Sequence, residues 1–387
     1  MPDALKGVLA ALAAAACAVA AFFLSFAVTG ELWLNLLAAA AAFAMTMWIL
    51  VRNLRGRVPM VVAGVACLLA VAAAPSVRDR MTPRPGPESE DLVRQIGAAA
   101  LRLRTVDAGS GSSDLEPLKT VWRGVRVVAL GEATHGTSEF FRMKHRIAEF
   151  LVAQMGFRHI AAELDAQEAR HVEAYIQGEA STDPVPSLSW PWATHEMSAM
   201  VAWMRRYNLA APEAGRVHFH GIDYQGERRD FHMAQNTLGL LEDLGPQSST
   251  ILWSHNAHVS DGAGWMGWYL KQSLHNQIYL TGFEFHHGRF TSRMNWVRSY
   301  QAETAGNGYY AAALARVGAP ILFLDFRSMA ENPALAAWLD EPRLTHDLQE
   351  AHGFLRLNPA WVRAARSWPS LFDGVIYLAE STPAQSW

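Results

Sequence analysis

Charge is nearly absent from three stretches at the front of the chain, residues 7–29, 32–51 and 58–74, after which the pattern changes character. Two of the three meet the roughly 20-residue length that spans a hydrocarbon core, and the third is slightly shorter. The pattern predicts three transmembrane helices over 1–74, with Gly30 and Glu31 forming a tight hairpin between the first two. A cleaved signal peptide accounts for only the first run. Residues 75–91, rich in Pro, Ser and charge, read as a linker that Pro83, Pro85 and Pro87 hold extended. From residue 92 to 387, short apolar runs alternate with amphipathic stretches. Strands are predicted over 125–130, 159–163, 217–221, 251–254, 277–283, 321–326 and 374–378, and helices over 92–103, 138–155, 166–177, 196–208, 230–244 and 266–274. That alternation predicts an α/β domain whose largely parallel sheet is covered by helices on both faces.

Charge then gives the front segment a direction. Arg52, Arg55 and Arg57 crowd the second connection and Lys6 precedes the first helix, so the positive-inside rule puts both on the cytoplasmic side. Three crossings deliver the α/β domain to the periplasmic or extracellular side, although Arg78, Arg80 and Arg84 argue weakly for the opposite. The expected location is thus a multi-pass cell membrane protein in contact with the lipid bilayer. A net charge of -3 over 387 residues gives no basis for a nucleic-acid partner. Both cysteines, Cys17 and Cys67, fall in the apolar runs, which excludes a cysteine nucleophile, thiolate metal ligands and a disulfide framework from the domain. Oligomeric state stays open.

The chemistry concentrates at strand ends. Gly131-Glu132-Ala133-Thr134-His135-Gly136 joins a strand to a helix, which places a carboxylate and an imidazole where α/β proteins build active sites. The abrupt turn predicts glycines in backbone angles that a Cβ resists. Glu163 closes the next strand, and a carboxylate there needs a cavity or a partner such as His135, with Arg170 or Lys144 as alternatives. Trp253-Ser254-His255-Asn256-Ala257-His258 supplies a second group, with Trp253 and His255 expected two apart on a strand and sharing a face, which puts a ring beside an imidazole at the strand's carboxyl end. His218 and His220 alternate on one strand, and His286-His287 is expected in a loop. No G-x-S-x-G, H-E-x-x-H or Walker loop occurs. Gly262 to Gly267 satisfies G-x-G-x-x-G but lies too far from its strand, and carries Trp265 and Met266 where a pyrophosphate would sit, so it reads as a loop beside the site.

Together with Tyr175-Ile176-Gln177-Gly178, Gly221-Ile222-Asp223 and Phe372-Asp373-Gly374, these motifs give an ordered set that resembles the erythromycin esterase family over residues 125–378. The resemblance implies a hydrolase of ester or lactone bonds. It assigns catalysis to His135 as general base on a water, with Glu132 and Glu163 orienting it and His255 as a second acid/base or oxyanion-stabilising group. It also implies substrate contacts from His258, Asn256, Lys144 and Trp253, and needs no cofactor. Family members include enzymes that open the macrolactone ring of macrolide antibiotics. This chain differs in its membrane-spanning front and in a shorter soluble part, so the expected substrate is a small ester, lactone or glycan. Trp190-Pro191-Trp192, Trp203, Trp265 and Trp268 offer flat surfaces for one. Two other readings stay open. In one, Glu132, His135, Glu163, His255 and His258 supply three ligands to a divalent metal of a cell-envelope hydrolase. In the other, a non-enzymatic envelope protein binds glycan or haem on the same fold.

Overall fold

Period-two burial organises the domain. In the strand Val127–Leu130, Val128 and Leu130 enter one apolar cluster and Val127 and Ala129 the other, so the strand has a core on each side. The same alternation sends Ile160 and Trp253 one way and Ala161 and Leu252 the other. Strands buried on both faces must read as unbroken apolar runs.

The computed structural model describes residues 86–293, 297–302, 304–346 and 365–387. The three apolar runs before residue 75 lie outside the described residues, as do most of the linker and the segment 347–364. Among the described residues no helix is long and apolar enough to cross a membrane.

The strands are β1 (Leu101–Arg102), β2 (Val127–Leu130), β3 (His159–Ala162), β4 (His218–Gly221), β5 (Thr250–Trp253), β6 (Ile278–Arg293), β7 (Val297–Gln301), β8 (Ile321–Asp325) and β9 (Gly374–Ser381). They pair in the order β1-β8-β9-β6-β2-β5-β3-β4, with β7 beside the far half of β6. The run from β9 to β4 is parallel. The pairs β1 with β8, β8 with β9, and β6 with β7 are antiparallel, so the sheet is mixed rather than largely parallel. The helices Ser138–Met155, Ala166–Ile176 and His195–Ala210 cover one face; Arg229–Asp243, Met266–Leu274 and Tyr310–Arg316 cover the other. His286 and His287, expected in a loop, lie inside β6, which runs on past the sheet to form a ribbon with β7.

This order sets the site. The chain leaves β2, lays down β3 and β4 one strand away, and returns to insert β5 between β2 and β3. The carboxyl ends of β2, β5 and β3 therefore lie side by side, and they carry Glu132 with His135, His255 with His258, and Glu163.

The turn after β2 is narrow because it is squeezed between neighbours. A Cβ at Gly131 would overlap the Asn256 amide oxygen, and one at Gly136 would overlap the Thr291 carbonyl. Neither glycine is among the residues with positive φ. Close approach, rather than the special backbone angle expected, is what demands them. The Gly136 carbonyl also accepts from the Thr291 and Ala384 amides, each at 2.8 Å, which pins the turn from two sides.

Candidate active site

Glu132 is buried and fully engaged. One carboxylate oxygen lies 2.6 Å from His135 Nδ1, and the other accepts from Lys144 Nζ at 2.7 Å and Trp253 Nε1 at 3.1 Å. Burial alone would raise its pKa, but the Lys144 charge and the His135 bond outweigh it and hold the carboxyl at about 2. Lys144 reaches Glu132 from the helix Ser138–Met155 with no exposed surface, its ammonium 4.6 Å from the Trp253 ring centroid. Burial pushes its pKa down to about 8, while the Glu132 charge keeps it from falling further.

His135 stands at the cleft, 17% exposed. With Nδ1–H donating to an ionised Glu132, the basic nitrogen of the neutral ring is Nε2. His255 lies opposite, the two ring centroids 4.7 Å apart. Rather than sharing a strand face with Trp253, it lies beyond the end of β5 at Trp253 and caps the short helix Asn256–Val259, its Nδ1 accepting from the Ala257 amide at 3.2 Å. That bond puts the proton of the neutral ring on Nε2. Burial, reinforced by the His135 charge, pushes its pKa down to about 3, so His255 is a neutral N–H donor at ordinary pH.

Glu163 anchors a second polar cluster and also feels the His135 charge. One oxygen accepts from Arg229 Nη2 at 2.8 Å and lies 3.3 Å from His258 Nε2; the other accepts from the Ser254 hydroxyl and the His255 amide. Burial opposes its charge, but His258, His135 and Arg229 hold the carboxyl well below the usual range. His258 also bonds Asp230 through Nδ1 at 2.7 Å. Although burial disfavours its charge, Glu163 and Asp230 raise its pKa to about 10, so it is an imidazolium clamped between two carboxylates. Arg229 Nη1 approaches the same His258 nitrogen at 3.1 Å. With the ring protonated that approach is not a hydrogen bond, and Glu163 accepts from both cations.

The clamp makes stability depend on pH. Because the folded pKa is raised from 6.5 to about 10, the contribution of His258 is complete below about pH 6.5 and is lost as pH rises towards 10. Melting temperatures of the wild type should therefore fall over that window relative to His258→Gln. Parallel curves for the two proteins would show that His258 is not charged in the fold.

These groups open on a cleft of about 990 Å3, lined by His135, Glu163, Trp190, Arg229, His255, His258 and Trp265 among others. Pro191 and Trp192 also face it, whereas Trp203 packs on His145 and Tyr207 and Trp268 on Tyr269. Of the four residues expected to touch substrate, only His258 lines the cleft. Lys144 and Trp253 lie behind it on Glu132, and Asn256 spends both ends of its amide on the Phe283 backbone, at 2.8 and 3.0 Å. They support the wall instead of forming it, because buried polar side chains at a strand end find partners in the neighbouring strands. Arg229 and Asp230 went unmarked in the sequence, and Asp223 was marked only as part of the motif Gly221-Ile222-Asp223 at another strand end. Among the described residues no three His, Cys, Asp or Glu groups converge to hold a metal ion.

The model of the erythromycin esterase family matches residues 152–228 and 224–381, more than half of the chain. An erythromycin esterase type II of Escherichia coli is 33% identical over 111 residues, 28% of this chain and 26% of that protein. The match thus spans about a quarter of that relative. Among solved structures, a succinoglycan biosynthesis protein superposes with a TM-score of 0.67 at 19% identity, covering 76% of this chain and 98% of its own. A Bacillus cereus protein gives 0.66 at 19% identity, covering 78% and 100%. An erythromycin esterase mutant in its open conformation gives 0.54 at 12% identity, covering 71% and 95%. At these identities the structural likeness establishes the α/β fold alone.

Proposed function

The chain belongs to the erythromycin esterase family, and from that premise we propose that it is a membrane-anchored hydrolase that cleaves ester or lactone bonds with a water activated by His135. The observation that carries this reading is the pairing of His135 with an ionised, buried Glu132, 4.7 Å from a neutral His255 across the cleft. Nε2 of His135 takes a proton from water as the water attacks the substrate carbonyl. Glu132 stabilises the imidazolium that results, and Lys144 and Trp253 keep the carboxylate in place. The Nε2–H of His255 donates to the carbonyl oxygen as it gains negative charge. His135 then returns its proton to the leaving alkoxide, so water is consumed and an acid and an alcohol are released.

Glu163 acts in this scheme as the post on which the site is built. Its bonds to the His255 amide, Ser254, Arg229 and His258 fix the second half of the cleft relative to β3. We propose a metal-free mechanism. Its support is that Glu132 and Glu163 have both oxygens committed to protein donors and that His258, protonated between two carboxylates, has no nitrogen lone pair to offer a metal. Trp190 and Trp265 give the cleft apolar walls suited to the ring or acyl portion of a small ester, lactone or glycan.

Anchoring rests on the apolar runs at 7–29, 32–51 and 58–74, with the domain on the periplasmic or extracellular side. One experiment addresses both parts. The full-length chain is expressed, the membrane fraction separated, and both fractions assayed against carboxylic esters and lactones of small and macrocyclic size. Turnover that sediments with the membranes is the expected result. Activity confined to the soluble fraction would contradict anchoring, and no turnover of any substrate would contradict the hydrolase.

A further inference from the structure

The cleft has more polar wall than the hydrolytic step uses. Small-molecule sites are lined mainly by apolar side chains with a few polar groups, whereas polar side chains outnumber apolar ones here. The surplus lies to one side. His135 follows β2 and His255 follows β5, while Asp165 follows β3 and Asp223 and Gln225 follow the edge strand β4. The cleft therefore runs from the two histidines across the ends of β3 and β4. On the basis of the hydrolase reading above, we propose that this extension binds a neutral sugar as the alcohol part of the ester, so that the substrate is an O-acylated carbohydrate.

The side chains of the extension are held in place and still have capacity for hydroxyl groups. Oδ1 of Asp165 caps the helix Ala166–Ile176 at the Gln167 amide, 2.7 Å away, which fixes the carboxylate and leaves Oδ2 to accept from a hydroxyl. Gln225 donates from Nε2 to Asp223, which leaves its Oε1 to accept and its second N–H to donate. Asp223 in turn holds Arg229 Nε at 2.8 Å. Glu168 accepts from the amide and hydroxyl of Ser189 at 2.6 and 2.7 Å, tying the segment that carries Trp190 to the same helix. The end of β4 packs closely on the turn after β3, because a Cβ at Gly221 would overlap the Leu164 and Asp165 carbonyls.

Two further features select a sugar. Trp190 and Trp265 are half-buried and line the same cleft, and an indole face packs on the C–H face of a sugar ring while the ring's hydroxyls reach the polar groups beside it. Both signs of charge are present, Asp165, Glu168 and Asp223 with Arg229 and Arg293, so neither a polyanion nor a polycation is favoured. A hydrocarbon alcohol here would strip water from these groups and return no hydrogen bonds. In the reaction the bond from the acyl carbon to the sugar oxygen breaks, the oxygen of water stays with the acid, and the sugar oxygen takes the proton that His135 Nε2 held.

The full-length protein is assayed on methyl glucoside, galactoside and mannoside, each carrying one O-acetyl group, and on cyclohexylmethyl acetate, a ring ester without hydroxyls. At least one acetylated glycoside should exceed the cyclohexyl ester in kcat/KM by about 10-fold or more, since a site built to pair hydroxyls rejects an analogue that lacks them. Gln225→Ala should lower kcat/KM for that glycoside by about 3–10-fold through KM, and for the cyclohexyl ester by less. The same glycosides are titrated calorimetrically into His135→Ala, which reads binding without turnover. Equal or faster hydrolysis of the cyclohexyl ester, or an unchanged preference in Gln225→Ala, would overturn the sugar site and leave the hydrolase standing. Glycoside binding with no turnover of any ester by the wild type would overturn the hydrolase and keep the sugar site. Neither binding nor turnover would overturn both.

Discussion

Replacing Lys144 by methionine should destabilise the domain by about 3–5 kcal/mol, the usual result of removing one partner from a buried ion pair. Methionine keeps most of the apolar stem, so lost packing contributes little. The loss comes from Glu132, whose carboxylate is 2% exposed and would keep only His135 and Trp253 as partners. If that is the cause, the change Glu132→Gln should relieve part of it. The double variant Lys144→Met/Glu132→Gln should then lose clearly less stability than the sum of the two single losses. Chemical denaturation of the four proteins measures this directly. A Lys144→Met variant as stable as the wild type would mean that the ammonium does not support the carboxylate.

Lys144 also shows where sequence reading stops. Its helix, Ser138–Met155, has the bounds that the apolar periodicity predicts, but periodicity marks a lysine as outward-facing. Only the partner, Glu132 on another element, makes burial tolerable, and that pairing depends on tertiary distance. Glu163 is the converse case. Its need for a partner was legible from its place at a strand end, yet the partners, Arg229 and His258, come from segments 66 and 95 residues on. The strand-end positions of Glu132, His135, Glu163 and His255 could be read because a strand's apolar run stops visibly where the chemistry begins.

The sheet divides in the same way. The buried strands β2, β3 and β5 announce themselves as apolar runs, whereas β6 extends through Glu284, His286 and His287, polar residues that interrupt the apolar run although the strand stays paired with β9 as far as Gly288 and pairs with β7 from Arg289. Strand direction was not legible either. The strand β8 reads like any buried strand, and only its pairing with β9 and β1 reveals it as antiparallel. The motif glycines were correctly seen as obligatory, but their reason lies in Asn256 and Thr291, residues far away in sequence.

The largest effect on activity should come from His135→Ala. General-base catalysis typically contributes ~10²–10⁴-fold, and the ring of His135 lines the cleft with its Nδ1 held by an ionised carboxylate. His255 cannot take over, because its Nδ1 already accepts from the Ala257 amide and burial holds the ring neutral as a donor. His258 cannot either, since its proton is held by two carboxylates. Stability should change little, as His135 is partly exposed and Glu132 retains Lys144. The decisive measurement is kcat/KM of wild type and His135→Ala on a hydrolysed ester or lactone, with the fold of the variant checked by its melting temperature. The account predicts a loss of about 10²-fold or more at an unchanged melting temperature, and a folded variant that retains wild-type turnover would contradict it.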